Sequence, residues 1–600
     1  MTIEELKSVF TKRIQHFTEE FESLNSKHKS LSLLRVVLFV ALIGLVVYAA
    51  NSRNPYLLSG TIIVFVVVFS IVMQVHNRIK FKRQNTLFAK KINEEELQRL
   101  NGKLSGLYNG IKYEDKNHFY APDLDIFGSN SLFQLVVRSR VEESRRLTAD
   151  WLLHHAPKAE ILKRQQAIIE LNNDIDWRQE FTALGMHTEE VDEKKQTDLK
   201  EFTSWISAGN KFIDKSKWKV LSYLMPLVAL VASVLILFFD FPYQIIFIPI
   251  IINFFFLKVT FAPLLDLTKK FDAATKVLKS YENLIIAIEN KSFTSEKLSS
   301  LQSVFDSDDT KASKSIQTLR RILYQLLNRA NMLYFPLNML FLLDLIWLLR
   351  AERWKKKHGS KVKDWFDAIH EIDVLNDMAS LNFANPDFVF PEITDDDFQL
   401  DAQEMGHPLI HGERVKNDFQ LNNRGKLGLI TGSNMSGKST FLRTVGINLV
   451  MAQAGLPVCA QSFYCSPTRV FTSMRTQDNL EEHISSFYAE LKRIKQLLDS
   501  INEIPVFYLL DEILKGTNSE DRHKGSISLI DQLSEKNATG LISTHDLTLS
   551  NLENKQVKNY SFNSEIVGDE IIFDYKLTDG PCRSFNASKL MEKMGIIVPS

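Results

Sequence analysis

The segment Gly432-Ser433-Asn434-Met435-Ser436-Gly437-Lys438-Ser439 constrains this chain more than any other stretch. It fits the spacing GxxxxGK[ST]. In that pattern glycines let backbone N–H groups close around phosphates at a helix N-terminus, and the lysine reaches the β- and γ-phosphates. Counting fixed positions at average residue usage, the bare pattern arises by chance in roughly 2% of chains this long. The apolar run Leu427-Gly428-Leu429-Ile430 before it and the helix-ready Phe441-Leu442-Arg443 after it supply the strand–loop–helix context. Two more strand-like runs end in chemistry: Val506–Leu510 in Asp511-Glu512, and Leu541–Ser543 in Thr544-His545. Ser439 and Asp511 are suited to share a magnesium ion, Glu512 to polarise the attacking water, and His545 to sense or hold the γ-phosphate. The expected nucleotide-binding residues are Gly432, Ser433, Asn434, Met435, Ser436, Gly437, Lys438, Ser439 and Thr440, with ATP and Mg2+ as cofactors.

The wording of the loop goes further than nucleotide binding. Thr431 to Thr440 resembles the TGPNMxGKST loop of the MutS family, DNA mismatch-repair ATPases built on an ABC-type nucleotide fold. Gly406-His407-Pro408-Leu409 sits where that family has its His-Pro pair, and Asp511 to Asn518 is similar to DEIGRGTS. Ser543-Thr544-His545 is similar to ATH. Ser485-Ser486-Phe487, with Glu490, resembles STFxxE. The resemblance implies that Ser485 and Ser486 reach across a homodimer to the partner's ATP; the other reading is a helix cap. Leu124 to Phe133 and Arg164-Gln165 resemble the family's helical core. Ser433 replaces the loop proline and Leu514 the glycine of DEIGRG, and neither removes a group that the chemistry needs.

Where the family carries a mismatch-reading domain, this sequence carries apolar segments. Only about 30 residues precede the first one, too few for a folded reader. The triplet Phe17-Thr18-Glu19 lies in a heptad-like series from Ile3 to Leu24 and reads as one face of a packing helix. Leu33–Ala50 and Tyr56–Val75 form one apolar pair; Val220–Phe239 and Tyr243–Leu257 form a second. Spanning about 30 Å of hydrocarbon takes about 20 helical residues. Four spans are therefore expected, the last short and carrying Pro249 and Asn253. Lys27, Lys29, Arg78, Lys80, Lys82 and Arg83 flank the first pair, and Lys215, Lys217, Lys219 and Lys258 the second. The turns between spans hold only Arg53. The positive-inside rule then puts both termini and the ATPase in the cytoplasm, on a multi-pass inner (cytoplasmic) membrane protein whose partner is the lipid bilayer. Met332–Leu349 is also long enough to span. It contains Pro336, Asn338 and Asp344, costly in lipid, and a fifth crossing would put the ATPase outside, so it reads as a buried or interfacial helix.

The fold expected is an α/β P-loop (ABC-type) ATPase domain joined to an all-α core domain and two transmembrane helical hairpins. Its parts are an amphipathic helix (1–31), hairpin 1 (32–76), core (77–215), hairpin 2 (216–258), core and linker (259–400) and ATPase (401–600). The second hairpin interrupts the core much as a DNA clamp does in the family. Three cysteines are too few for a disulfide framework, and no zinc spacing is present. No basic n-region precedes a cleavage site, so no removable signal peptide is expected. Formal net charge is +0, so DNA binding has no support from charge, since a dedicated DNA binder is usually basic. Three classes compete: a MutS-related ATPase acting on mismatched or branched DNA, an ATP-driven switch acting on a membrane or protein partner, and an ABC transporter. No LSGGQ lies between Lys438 and Asp511, which places the transporter last.

Overall fold

The computed structural model describes residues 1–52, 55–188, 196–306, 310–330, 334–395, 397–475, 486–501, 505–536, 538–552, 556–567 and 570–582. They fall into two units: 1–138 with 145–174 and 374–600, and 139–144 with 175–373. The first opens with two helices packed along each other, α1 (Ile3–Asn51) and α2 (Pro55–Leu100). Thr2 starts α1 with a reciprocal cap: its hydroxyl accepts from the Glu5 N–H, and the Glu5 carboxylate accepts from the Thr2 N–H. Neither helix breaks at 31/32 or 76/77, where the sequence changes from amphipathic to apolar. The change of side chains alters what the helix faces, not its backbone.

Residues 101–131 differ from the helical reading of 77–215. They form turns with one short 3-10 segment, because Gly102, Gly106, Gly110 and Gly128 all sit at positive φ and no helix can run through them. Helix returns in α3 (Leu132–Val136), α4 (Glu142–Leu153) and α5 (Lys158–Asn172). One buried ion triad fastens this part. Glu96 of α2 accepts from Arg99 at 3.0 Å and from Arg138 at 2.9 Å, all three side chains at most 5% exposed. Arg99 also donates to the carbonyls of Gln134 and Val137.

The second unit is helical: α6 (Ile175–Met186), α7 (Gln196–Ser207), α8 (Ser216–Phe239), α9 (Phe247–Glu289), α10 (Glu296–Ser303), α11 (Ala312–Leu327), α12 (Tyr334–Phe341) and α13 (Leu343–Ala384), which runs on into the first unit. Ile316, Leu319, Ile322 and Leu323 of α11 are buried as their spacing predicts, while Leu301 and Val304 are half-buried and Phe305 takes the core position. Among the described residues α1, α2 and α8 are long and apolar enough to cross a membrane, and 11%, 0% and 22% of their apolar windows are buried. The segment expected as a fourth span is shorter: it begins with a 3-10 turn at Tyr243–Ile246 and then continues as α9 far beyond Leu257. From Tyr334 on, the Met332–Leu349 stretch is not one helix. Leu342, at φ 54°, breaks it, and α12 and α13 meet at 79°.

Two sheets complete the first unit. A small one has the order β1-β5-β2-β3, with β1 (Glu392–Ile393), β2 (Gln399–Met405), β3 (Asn417–Asn422) and β5 (Ser462–Cys465). Glu392–Ile393 and Gln399–Leu400, expected as linker, are thus strand, and β2 straddles the expected boundary at 400/401. The large sheet has the order β10-β9-β4-β8-β7-β6, from β4 (Leu427–Gly432), β6 (Arg469–Ser473), β7 (Val506–Asp511), β8 (Thr539–Thr544), β9 (Val557–Val567) and β10 (Glu570–Asp579). All its pairings are parallel except β9 with β10. β4 and β8 are buried along their whole length, which explains their near-continuous apolar runs. Helices α14 (Lys438–Ala454), α15 (Ser486–Ser500) and α16 (Ser519–Glu535) belong with it.

Replacing Glu96 with Ala strands two buried guanidinium groups. The expected loss is about 3–5 kcal/mol of unfolding free energy, measured by urea denaturation of the detergent-solubilised chain. A loss under about 1 kcal/mol would mean the triad carries no more than a surface pair.

Candidate functional site

Strand order brings the chemical residues together. β4, β8 and β7 are neighbours in parallel, with Thr431 level with Thr544 and Asp511 level with Ser543. Three segments far apart in sequence therefore end at one edge of the sheet, the carboxyl end, where ligands of open α/β sheets bind. The loop from Gly432 to Gly437 leaves β4 there and enters α14. Met435 (φ 67°) and Gly437 (φ 104°) adopt left-handed conformations that fold the loop. At Gly437 the need for glycine is also steric, because a Cβ would lie 3.1 Å from the Tyr575 ring. Lys438, first residue of α14, is buried and donates to the carbonyls of Gly432 and Ser433, both at 2.9 Å. Burial lowers its pKa, opposed by Glu512 and Asp511.

Asp511 accepts a short hydrogen bond from the Ser543 hydroxyl. Glu512 follows at φ 53°, its N–H donating to the Ser543 carbonyl. Its carboxylate meets His545 Nε2 at 2.6 Å and Lys515 Nζ at 3.3 Å. The bond from His545 and the charge of Lys515 outweigh partial burial and hold the Glu512 pKa down, at about 2. A cleft of about 520 Å³ opens between the loop and these residues, lined by Asn434 to Thr440, Glu512, His407 and Tyr575. Burial pushes His407 down to about 4, so this imidazole is neutral at physiological pH. Asn448 anchors its loop, donating to the Gly406 carbonyl and accepting from the Cys459 N–H.

The nine loop residues, Asp511, Glu512 and His545 thus meet at one place. Ser485 lies outside the described residues. Ser486 is the first residue of α15, and its side chain also lies outside the described set. The Ser439 hydroxyl and the Asp511 carboxylate are hard oxygen donors suited to Mg2+. Among the described residues no group of three His, Cys, Asp or Glu side chains forms a complete cage.

A family profile described as MutS domain V matches residues 428–596. Over this C-terminal part the chain is similar to MutS-family proteins. It is 30% identical over 244 residues to a DNA mismatch repair protein MutS of Thermotoga neapolitana, covering 39% of this chain and 30% of that protein. It is 33% identical over 241 residues to MutS protein homolog 4 of Mus musculus, covering 36% and 24%. It is 34% identical over 140 residues to endonuclease MutS2 of Thermus thermophilus, covering 23% and 18%. The chain therefore spans less than a third of the length of each of these relatives.

Set against the MutS loop and turn, both departures have a visible setting. Leu514, where the family has glycine, keeps the left-handed conformation at φ 59°. Its N–H donates to the Glu490 carboxylate in a short bond, and its side chain is buried. Ser433 is buried as well, in the loop against Lys438. Two features had no motif to announce them. Tyr575, at φ 55°, sits in the bulge of β10, its carbonyl accepting from Asn417 and its ring against Gly437. The 117–125 segment clamps the far side: Asp123 accepts from the Thr472 hydroxyl and from the N–H groups of Met474 and Arg475. Arg493 of α15 donates to the carbonyls of His118 and Phe119.

In His545→Ala the Glu512 carboxyl loses the largest cause of its lowered pKa and titrates nearer its ordinary value of 4.5. A depressed folded pKa stabilises above the unfolded pKa and is lost as pH falls through the folded value. The thermal-midpoint gap between wild type and His545→Ala should therefore be widest above pH ~5 and shrink progressively as pH falls from 4.5 towards about 2. A gap that widens on acidification would refute the pairing.

Proposed function

We propose that this protein is a membrane-anchored MutS-family ATPase that binds ATP with Mg2+ at the cleft above the P-loop and hydrolyses it. The observation that carries the reading is Glu512, a carboxylate kept ionised by His545 at the mouth of a phosphate-binding loop. Glu512 orients and deprotonates the attacking water. Asp511 and Ser439 hold the magnesium ion, which offsets charge on the β- and γ-phosphates. Lys438 and the loop N–H groups bind those phosphates, and His545 stands beside the γ-phosphate. Anchoring is supported by the three long apolar helices and their exposed faces. With the shorter apolar helix Tyr243–Val259 as a fourth crossing, the flanking lysines and arginines favour both termini and the ATPase on the cytoplasmic side. The six-part domain division from 1–31 to 401–600 is proposed with it, adjusted for helices that run through its boundaries.

The work done by hydrolysis is assigned to a conformational switch at the membrane. Zero net charge and the apolar helices favour this over DNA, whereas the names of the relatives favour repair of mismatched or branched DNA. Electrophoretic mobility shift of the detergent-purified protein with homoduplex, mismatched and branched DNA separates the two: a retarded band would overturn the switch reading. For the chemistry, Lys438→Ala should weaken ATP binding. Glu512→Gln should keep binding and slow turnover by about 100-fold or more, since an amide is no base. Equal turnover in Glu512→Gln and wild type would refute the assignment.

ATP is further proposed to close a homodimer, with Ser485 and Ser486 donating to the partner's γ-phosphate. Mixing Lys438→Ala with Ser485→Ala/Ser486→Ala subunits gathers both lesions at one composite site and leaves the other intact. Activity should then reappear in heterodimers confirmed by pull-down; its absence would favour a helix cap.

A further inference from the structure

The short helix α12 has an unusual arrangement of apolar and polar groups. Its outer face exposes Phe335 (64%) and Leu337 (48%), with Pro336 between them, while Asn338 is only 6% exposed. Inside the second unit it packs on α8 and on the start of α9. Those two elements expose Leu227, Leu230, Ile251 and Phe255 in the same manner. The apolar surface of α12 is therefore continuous with the surface of a helical hairpin already read as lipid-facing.

The ends of α12 carry the argument. A helix leaves its last carbonyls without partners, and where water is absent they must be satisfied within the protein. At this break the backbone groups next to Leu342 find partners inside the protein, while the buried Asn253 Oδ1 is left without one among the described residues. Asn253, on α9 and 0% exposed, donates both amide hydrogens to the carbonyls of Met339 and Leu340, each at 2.9 Å. The Leu342 N–H returns to the Asn338 carbonyl, and the Asn338 side-chain oxygen accepts from the Asp344 N–H at 2.8 Å. Asp344, 1% exposed, takes the Tyr334 hydroxyl at 3.0 Å and lies 3.1 Å from Arg329. The polar residues that would be costly in a straight span are those that close a broken one. A helix ending in water would gain little from a buried asparagine set in an apolar neighbour.

Depth follows from helix geometry. Asn253 precedes the exposed Lys258 by five residues, about 7–8 Å along α9 at 1.5 Å per residue. Amphipathic helices that lie in the membrane interface sink about 5–10 Å. We propose that residues 334–341 are a non-crossing insertion, lodged in the bilayer leaflet on the Lys258 side, with Phe335 and Leu337 against acyl chains and the break capped by Asn253. The proposal rests on the membrane-anchored reading and adds to it a fifth point of contact that leaves the ATPase on its own side. The partner is the hydrocarbon of the leaflet, not a second protein.

The test uses the full chain in nanodiscs, in a background without the three native cysteines. A bimane label is placed singly at Phe335→Cys, Leu337→Cys, Leu230→Cys and Tyr324→Cys, and read with lipids spin-labelled near the headgroup or near the chain end. Positions 335 and 337 should lose roughly half of their emission to the shallow quencher and less to the deep one, as expected for an interfacial depth. Position 324, exposed on α11, should stay bright in both, and position 230 should be quenched. If 230 is quenched and 335 and 337 stay bright, the insertion is wrong and the anchor stands. If 230 also stays bright, the anchor itself is wrong. Stronger deep than shallow quenching at 335 and 337 would mean a full crossing and would overturn the proposal.

Discussion

The parallel register of β4, β8 and β7 is the constraint on which the site depends. A one-residue slip in a parallel pair turns every side chain to the opposite face of the sheet. A slip here would carry Asp511 away from Ser543 and Glu512 away from His545. The register is held by burial: β4 and β8 are covered on both faces, so no alternative pairing keeps Leu427, Leu429 and Ile542 out of water. Precision at the phosphate loop is thus a by-product of packing several residues below it.

The same logic extends to the turn after β7. Glu512 and Leu514 are both non-glycine residues at positive φ, a conformation that costs about 1–2 kcal/mol per residue. The turn keeps this shape because its backbone is pinned from two sides, at Glu512 by the Ser543 carbonyl and at Leu514 by the Glu490 carboxylate. Glu490 lies on α15, and so does Arg493, which grips the 117–125 segment. Phe487, one helical turn before, presses so closely on Gly516 that a Cβ there would lie 2.6 Å from its own. Movement of α15 would therefore reach the Glu512 turn through short, direct contacts.

Much of this site was legible because its chemistry is local in sequence. The loop, Asp511-Glu512 and Thr544-His545 each sit at a strand end, and strand-then-polar is a pattern that a sequence displays. Tyr575 was not legible. Its place depends on a bulge between β9 and β10, and a tyrosine in an alternating strand reads the same wherever the strand lies. The turn region 101–131 was misread because scattered glycines look tolerable in a helical pattern, while four of them at positive φ exclude one. The polarity of Met332–Leu349 was visible, and Pro336, Asn338 and Asp344 argued against a straight span. What the sequence could not display was the helix break at Leu342, nor that Asn253, some ninety residues away, would close it.

The unbroken course of α1 gives the assembly a fixed height. Phe10 near its start packs edge-on against Phe383, with ring centroids 6.0 Å apart. From Phe10 to Leu33, where the apolar window begins, the helix rises about 35 Å at 1.5 Å per residue. In the anchored arrangement α1 is a stalk, holding the contact at Phe383 that far from the bilayer surface. A stalk of this kind is also a dial. Each residue added or removed between Phe10 and Leu33 alters the stand-off by about 1.5 Å and turns everything above it by about 100°.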